Sequence, residues 1–235
     1  LGWMGSMLLM AVITCISWLQ LLFYKEPSGK SIPTVGYKRL FSFWRFISKP
    51  WLGLLLLYPV GGGMVYALIS PMLIDLGWSL SSIGTSMYLV ATPFGIVSAL
   101  MVGKLIQPLG RRKVLLGLIF MQALILLVLL IPAYGINDTL PIYACLIAYF
   151  VVYSPIATVL YTLMMDQTHL DTPATDFTIQ ASILMFVGII SAGVSTALAG
   201  VFGYSVVIWI ASTVCMFSFI VAWFIATTER LVPTA

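Results

Sequence analysis

The chain has 235 residues, of which 61% are hydrophobic and only 8% are charged, and its formal net charge is +4. A water-soluble domain of this length needs a polar surface that this composition does not provide, whereas a hydrocarbon core about 30 Å thick is crossed by about 20 apolar helical residues. The composition therefore excludes a soluble fold, and the placement of the basic residues along the chain explains the net charge without a nucleic-acid partner.

The apolar runs predict seven transmembrane helices, because backbone groups in lipid must be satisfied within each segment and the alternating pattern of a β-barrel is absent. The predicted spans are residues 1–24, 51–74, 80–103, 114–134, 140–165, 175–202 and 204–228. The chain opens on Leu1 inside the first run, without a signal-peptide pattern, so we interpret it as part of a longer protein. The three cysteines are far apart in apolar runs, which indicates packing rather than a disulfide or metal site, and no cofactor is predicted.

All eleven basic residues fall on one side of the predicted membrane. The connections on that side are residues 25–50, 104–113, 166–174 and the C-terminus. The opposite side carries two charged residues, Asp75 and Asp138. The positive-inside rule makes the basic side cytoplasmic. We therefore predict a multi-pass membrane protein, with the linker, the loop of Arg111 and Arg112, and the C-terminus in the cytoplasm.

Residues 25–50 are the longest connection and are predicted to be a cytoplasmic linker. The first part, KEPSGKSIPTVG, is rich in turn-forming residues. The second part, YKRLFSFWRFISK, places basic residues on one helical face and aromatic and aliphatic residues on the other. This pattern is typical of an interfacial helix that lies on an anionic leaflet, and a partner-binding helix is the alternative.

The second and fifth predicted spans resemble each other and contain residues that are unusual in lipid. YPVGGGMVY (58–66) and YSPIATVLY (153–161) each carry two tyrosines eight residues apart, with a proline soon after the first. Pro59 with the glycines 61–63, and separately Pro155, are expected to break the backbone hydrogen-bond ladder near mid-span, which requires protein or a water-lined cavity to satisfy the freed groups. The tyrosine hydroxyls also need partners at this depth.

Both tyrosine-bearing faces are therefore predicted to look inward. The candidate cavity residues on them are Tyr58, Gly62, Tyr66, Tyr149, Tyr153 and Tyr161. Interhelical packing with tyrosine hydrogen bonds is the alternative for each tyrosine. The sixth span repeats small residues every four positions, which indicates close helix packing, and the almost uniformly apolar fourth and seventh spans are predicted to face lipid.

No ionisable residue lies in the middle of any predicted span. An intramembrane ionisable group is the usual sign of ion coupling. A proton, as the candidate coupling ion, would therefore have to use the cytoplasmic-end carboxylates Asp166, Asp171 and Asp176, or a residue outside this chain.

The segment 165–180 contains the start of the sixth helix. Asp171 or Thr172 is the predicted N-cap, Pro173 occupies the first turn, and Asp176 complements the helix dipole. Gln180 lies one turn further on the same face as Asp176 and is a further candidate cavity residue.

Asp166 and His169 form a D-x-x-H pattern that would suit a metal or a catalytic pair. No third ligand or nucleophile lies nearby in sequence, so neither a metal site nor a catalytic residue is predicted. His169 is left as a cytoplasmic gate candidate that titrates near neutral pH.

The chain has one span, then a basic linker, then six further spans. This order resembles the major facilitator superfamily, in which two six-helix halves are joined by such a linker. The resemblance implies an all-α membrane fold with residues 1–24 as the last helix of an N-terminal bundle, 25–50 as the linker, and 51–235 as the C-terminal six-helix bundle. It also implies a carrier for a small molecule rather than an enzyme, working with a missing N-terminal half by alternating access.

The stretch GKLIQPLGRRK (103–113) is similar to the recurring G-x-x-x-D-R-x-G-R-R signature of that superfamily. Gln107 and Pro108 replace the acidic residue and the basic residue after it, so the resemblance implies a cytoplasmic motif without its internal salt bridge. The candidate gating and motif residues on this side are Gly103, Gly110, Arg111, Arg112, Asp166 and Asp176.

The run ATDFTIQAS, which follows a Met-Asp pair at 165–166, is similar to the corresponding loop of the AmpG-related permeases, in particular the RhtX/FptX group of siderophore importers. This resemblance implies uptake of an iron-siderophore across a bacterial inner membrane into the cytoplasm, with muropeptide and acyl-coenzyme A permeases as alternatives within the superfamily. A membrane-embedded transferase and a non-transporting subunit are the competing classes, and the transferase would need converging catalytic groups, for which only Asp166 and His169 qualify.

Overall fold

The computed structural model describes residues 2–23, 43–44, 47–169 and 172–228. Within these ranges the secondary structure is helical, which confirms the predicted all-α membrane fold. The long helices are α1 (Trp3–Leu22), α2 (Lys49–Asp75), α3 (Leu80–Leu109), α4 (Arg111–Ala133), α5 (Thr139–Asp166), α6 (Pro173–Phe202) and α7 (Tyr204–Thr228). The helices α2 to α6, and α7 as far as Phe224, are each long and apolar enough to cross a membrane.

The helix α1 belongs to one compact unit of the chain and α2 to α7 belong to a second. In α1 the hydroxyls of Thr14 and Ser17 donate to carbonyl oxygens one turn earlier in the same helix, over 2.8 and 3.1 Å. Such bonds let an apolar helix carry hydroxyl side chains without an outside partner. The predicted interfacial helix of the linker lies mostly outside the described residues.

The turn between α3 and α4 is much shorter than predicted. The helix α3 runs to Leu109 and α4 begins at Arg111, so the expected loop 104–113 is reduced to Gly110, which has φ +78°. Polar residues mark where a chain leaves lipid, but Lys and Gln are good helix formers and do not end a helix. A left-handed glycine does, because it has no Cβ to clash.

The six helices of the second unit pack as two equivalent triplets. The helix α2 packs on α6 and α7, α5 packs on α3 and α4, and α4 also packs on α7. Exchanging α2 with α5, α3 with α6 and α4 with α7 leaves this set of pairs unchanged, as expected for two inverted three-helix repeats. The equivalence of α2 and α5, predicted from their tyrosine pairs, therefore holds for their packing.

The core lies along α2 and α5, whereas α3 and α6 are the most exposed of the six spans. The helices α4 and α7, predicted to face lipid, each bury one face; on α4 the buried residues include Ile119, Gln122 and Leu126. Composition could not show this, because lipid and the protein interior are both apolar.

The end of the bundle that carries Asp75 is tied by three polar contacts. The Tyr204 hydroxyl donates to Asp75 Oδ2 over 2.5 Å, which joins α7 to α2. Asn137 accepts from the Trp78 indole over 2.6 Å and donates to the Leu76 carbonyl oxygen over 2.8 Å. These bonds fix the connections α2–α3 and α4–α5 against each other. We call this the Asp75 end, and the opposite one the Arg111 end.

Candidate functional site

A cavity of about 210 Å³ lies between α2, α5 and α6. Four residues singled out from the sequence line it, and α6 completes the wall with apolar and glycine residues. The principal lining residues are Tyr58, Gly62, Tyr153, Tyr161, Leu184 and Gly188. Equivalent helices of the two repeats thus face one cavity with tyrosine rings on both sides.

The ring of Tyr153 is held by a stack of aromatic side chains. It stacks on Tyr149 with ring centroids 5.3 Å apart and on Tyr66 with centroids 5.9 Å apart. Tyr66 also meets Phe150 edge to face, at 6.5 Å. Such offset and edge-on pairs add stability beyond apolar burial. Tyr149, which is buried, and Tyr66, which is 37% exposed, are not among the lining residues and orient Tyr153 by stacking on it.

The three glycines of α2 each face a different neighbouring helix. A Cβ at Gly61 would lie 2.4 Å from Cys215 Sγ on α7. One at Gly62 would lie 2.7 Å from Gln122 Nε2 on α4, and one at Gly63 would lie 3.3 Å from a backbone oxygen of α6. Successive helical residues point about 100° apart, so Gly61 and Gly63 let α2 pack closely on α7 and α6, and Gly62 leaves room for the Gln122 side chain.

The expected break in the helix at these residues is absent. The helix α2 is continuous through Pro59 and the glycines, and α5 is continuous through Pro155. Each proline removes one backbone donor, and packing on several sides holds the remaining turns helical. The ladder thus loses one bond at each proline, as predicted, but the helices stay continuous, and the glycines serve close approach.

Gln180 lies outside the cavity lining. It is fully buried, and its Oε1 accepts from the Trp51 indole nitrogen over 2.8 Å. Its Nε2 donates to the carbonyl oxygens of Met164 and Asp176, at 3.2 and 3.3 Å. The amide thus uses both ends to join α2, α5 and α6.

Arg111 forms an ion pair with Asp166, which links the start of α4 to the end of α5. The signature-like stretch lacks an acidic residue at Gln107, so Asp166, 55 positions away in sequence, supplies the carboxylate. Arg112 follows Arg111 in the first turn of α4. Gly103 lies inside α3, where a Cβ would meet open space, so only Gly110 serves the turn.

Asp176 is a nearly buried carboxylate, 3% exposed, in the first turn of α6. Its Oδ2 accepts from the His169 backbone nitrogen over 3.0 Å and lies 2.7 Å from His169 Nδ1. His169 therefore bonds Asp176, rather than serving the D-x-x-H pattern with Asp166. Thr172 is the N-cap residue of α6, and Asp171 lies outside the described residues.

Within the part of the chain that the structure describes, no group of three His, Cys, Asp or Glu side chains is placed to hold a metal ion. One residue near the cavity, Gln122, is not among the candidates predicted from the sequence. A signal for it is present, because Gln122 is the single hydrogen-bonding side chain in the apolar run 114–133.

Six membrane-spanning helices in two equivalent triplets, around an aromatic cavity, define a multi-pass membrane transporter. Comparison with known families gives the same result: residues 1–181 match the sequence model of the Major Facilitator Superfamily. The match covers most of the chain, and the chain belongs to this superfamily. The predicted superfamily is thereby confirmed. Membership implies a small-molecule substrate and insertion in a lipid bilayer.

Proposed function

We propose that the protein is a secondary active transporter that imports an iron-siderophore, or a similarly bulky small molecule, by alternating access. The observation that supports it is the cavity in which Tyr58 of α2 and Tyr153 of α5 lie on opposing helices. In transporters built from inverted repeats, the substrate site lies near the bilayer midplane at the interface of the repeats. The two tyrosines occupy such an interface.

The chemistry of the cavity favours a bulky and partly apolar substrate. Tyrosine rings present apolar faces together with a hydroxyl, and no charged side chain is among the residues that line the cavity. A ferric siderophore encloses its metal within organic groups, so its outer surface suits such walls. The similarity of the segment 174–182 to siderophore importers supports the same substrate class.

The proposal includes an orientation and a coupling ion. The Arg111 end faces the cytoplasm of a bacterium, since the basic residues collect there. A proton is the coupling ion, and Asp166, His169 and Asp176 are the carboxylates and the imidazole that the described part of the chain offers at this end. An N-terminal half supplies the other wall of the cavity.

Growth under iron limitation tests the substrate class. A host that lacks its own inner-membrane siderophore permeases is given the full-length gene and single ferric siderophores of hydroxamate, catecholate and phenolate type. We expect rescue by one type, and uptake of the same chelate, labelled with radioactive iron, into proteoliposomes that accelerates with an imposed proton gradient. Absence of rescue and of uptake for every chelate would contradict siderophore import.

Variants of the opposing tyrosines test the cavity assignment. Tyr58→Ala with Tyr153→Ala should abolish saturable uptake, because the substrate loses both aromatic walls. Tyr134→Ala is the matched control, since Tyr134 is 67% exposed and lies at the Asp75 end. Both proteins are compared at equal amounts of folded material by size exclusion. Unchanged uptake and unchanged KM in the double variant would rule out this cavity as the substrate site.

A further inference from the structure

Gln122 is a buried amide whose hydrogen-bonding groups are unused. It lies at the centre of α4, is 1% exposed, and neither its Oε1 nor its Nε2 has a hydrogen-bond partner among the described residues. Gln180, another buried glutamine, uses both ends of its amide. An unpaired amide in apolar surroundings is costly to maintain. Its presence in an otherwise apolar run calls for a partner that is absent from the described chain.

The position of Gln122 puts this amide directly behind the cavity wall. The helix α4 packs on α5 and α7 rather than along α2, yet Gln122 Nε2 reaches within 2.7 Å of the place where a Cβ of residue 62 would stand. The ring of Tyr153 lies 3.5 Å from the same place. Gly62 and Tyr153 both line the cavity. The amide therefore backs the part of the wall that these two residues form.

Other neutral polar groups converge on this point. The Tyr149 hydroxyl donates to the Gly62 carbonyl oxygen over 3.3 Å, and because it uses its proton in this bond its lone pairs stay available as acceptors. The amide of Gln122 adds one acceptor and two donors without a net charge. A substrate group that took the place of the Tyr153 ring edge at Gly62 would meet both hydrogen-bond donors and hydrogen-bond acceptors, and none of these groups is charged.

We propose that Gln122, behind Gly62, is the hydrogen-bonding subsite of the cavity and binds one uncharged polar group of the transported molecule when the Tyr153 ring turns aside. The ligand chemistry is a hydroxyl or an amide, which can both donate and accept. A charged group does not fit, because its charge would remain uncompensated among these neutral partners. This inference rests on the proposed transport function, in which the cavity takes the substrate.

Thiol labelling tests whether the amide position opens to the cavity, without knowledge of the substrate. In the full-length protein with Cys15→Ser, Cys145→Ala and Cys215→Ala, we expect Gln122→Cys to be modified by a small anionic methanethiosulfonate in membrane vesicles. The matched control is Leu124→Cys, which is on the same helix, is 44% exposed, and lies outside the cavity lining. The control should stay unmodified, since a lipid-facing thiol does not ionise. The readout is the mass of the intact protein.

Transport kinetics then test whether the subsite binds the substrate or only water. With the chelate selected by the growth assay, Gln122→Leu should raise KM about tenfold, because the substrate loses about one good hydrogen bond. Gln122→Asn keeps an amide and should raise KM less. The chelate should also slow the labelling of Gln122→Cys. Leu124→Ala is the control with unchanged KM.

Two results would overturn the inference. One is a folded Gln122→Cys that is never modified, with or without chelate. The other is modification with an unchanged KM in Gln122→Leu, which would show a water site only. If the wild-type protein transports no chelate in the panel, the proposal of siderophore import is wrong. The subsite is judged separately by labelling: modification of Gln122→Cys supports an accessible subsite, and a lack of modification contradicts it.

Discussion

Trp51 and Gln180 are joined side chain to side chain across the interface of α2 and α6. The indole Nε1 donates to the amide Oε1 over 2.8 Å, and both residues are almost completely buried. Since Gln180 also donates to the Met164 carbonyl oxygen of α5, one amide ties three helices together. These are the three helices that enclose the cavity, so the bond sets their separation towards the Arg111 end.

Removing the indole donor should destabilise the bundle. Trp51→Phe keeps an aromatic ring but leaves Gln180 Oε1 unpaired in a buried site, which costs about 1–3 kcal/mol. We expect a Tm several degrees lower in the thermal unfolding of the full-length protein in detergent. Trp209→Phe is the control, because Trp209 is 51% exposed on α7 and should leave Tm unchanged. A normal Tm for Trp51→Phe would show that this bond is energetically silent.

The three glycines of α2 should differ sharply in their tolerance of alanine. At Gly61 the new methyl group meets Cys215 Sγ at 2.4 Å and the Ala211 backbone oxygen at 2.7 Å, so α2 and α7 must separate. At Gly62 it meets the mobile end of a side chain, and at Gly63 a backbone oxygen at 3.3 Å. We therefore expect Gly61→Ala to lower Tm most, by overpacking that costs on the order of 1–3 kcal/mol.

The matched control for this series is Gly117→Ala, since a Cβ at Gly117 on α4 meets nothing within 4 Å. Alanine there should be neutral or slightly stabilising, by up to about 1 kcal/mol, because it restricts the unfolded chain and favours helix. Thermal unfolding of the four variants gives the order. Equal losses at Gly61 and Gly117 would show that helix propensity, rather than close approach, decides the outcome.

The helix content and the family follow from the sequence because hydropathy alone requires spanning helices. Lipid forces each apolar run to be helical, and the segregation of Lys and Arg supports the predicted order of the spans. The exact ends do not follow, as the helix α3 shows: Lys104 and Gln107 leave the apolar run yet remain helical up to Gly110. The polarity of a residue indicates its depth in the membrane, whereas the capping residues determine where the helix ends.

The side-chain partners depend on tertiary packing and therefore cannot be predicted from the sequence. Gln180 is predicted to be a cavity residue because it lies one turn beyond Asp176 on the same helical face, but its amide meets Trp51, 129 residues away. Gln122 was assigned to a lipid-facing span because its neighbours in sequence are apolar. Its approach to the cavity depends on the missing side chain of Gly62, which is on another helix. No local pattern carries that information.

The ion pair of Arg111 and Asp166 offers a test by charge exchange. The side chains are 40% and 27% exposed, so the pair contributes little to stability, about 0.2–1 kcal/mol. Arg111→Asp or Asp166→Arg alone places like charges in contact and should lower Tm slightly and reduce uptake, because the ends of α4 and α5 repel each other. The double exchange restores opposite charges and should recover both quantities.

The salt dependence and a control exchange make this last test specific. Added salt screens partly exposed charges, so the single variants should approach the wild-type Tm at about 1 M salt. Lys104→Glu is the control, because Lys104 is an exposed basic residue on α3 that is not a member of this ion pair, and its Tm should be unchanged. If the double exchange keeps the lowered Tm and uptake of the single variants, the shape of these side chains, rather than the attraction between their charges, determines both quantities.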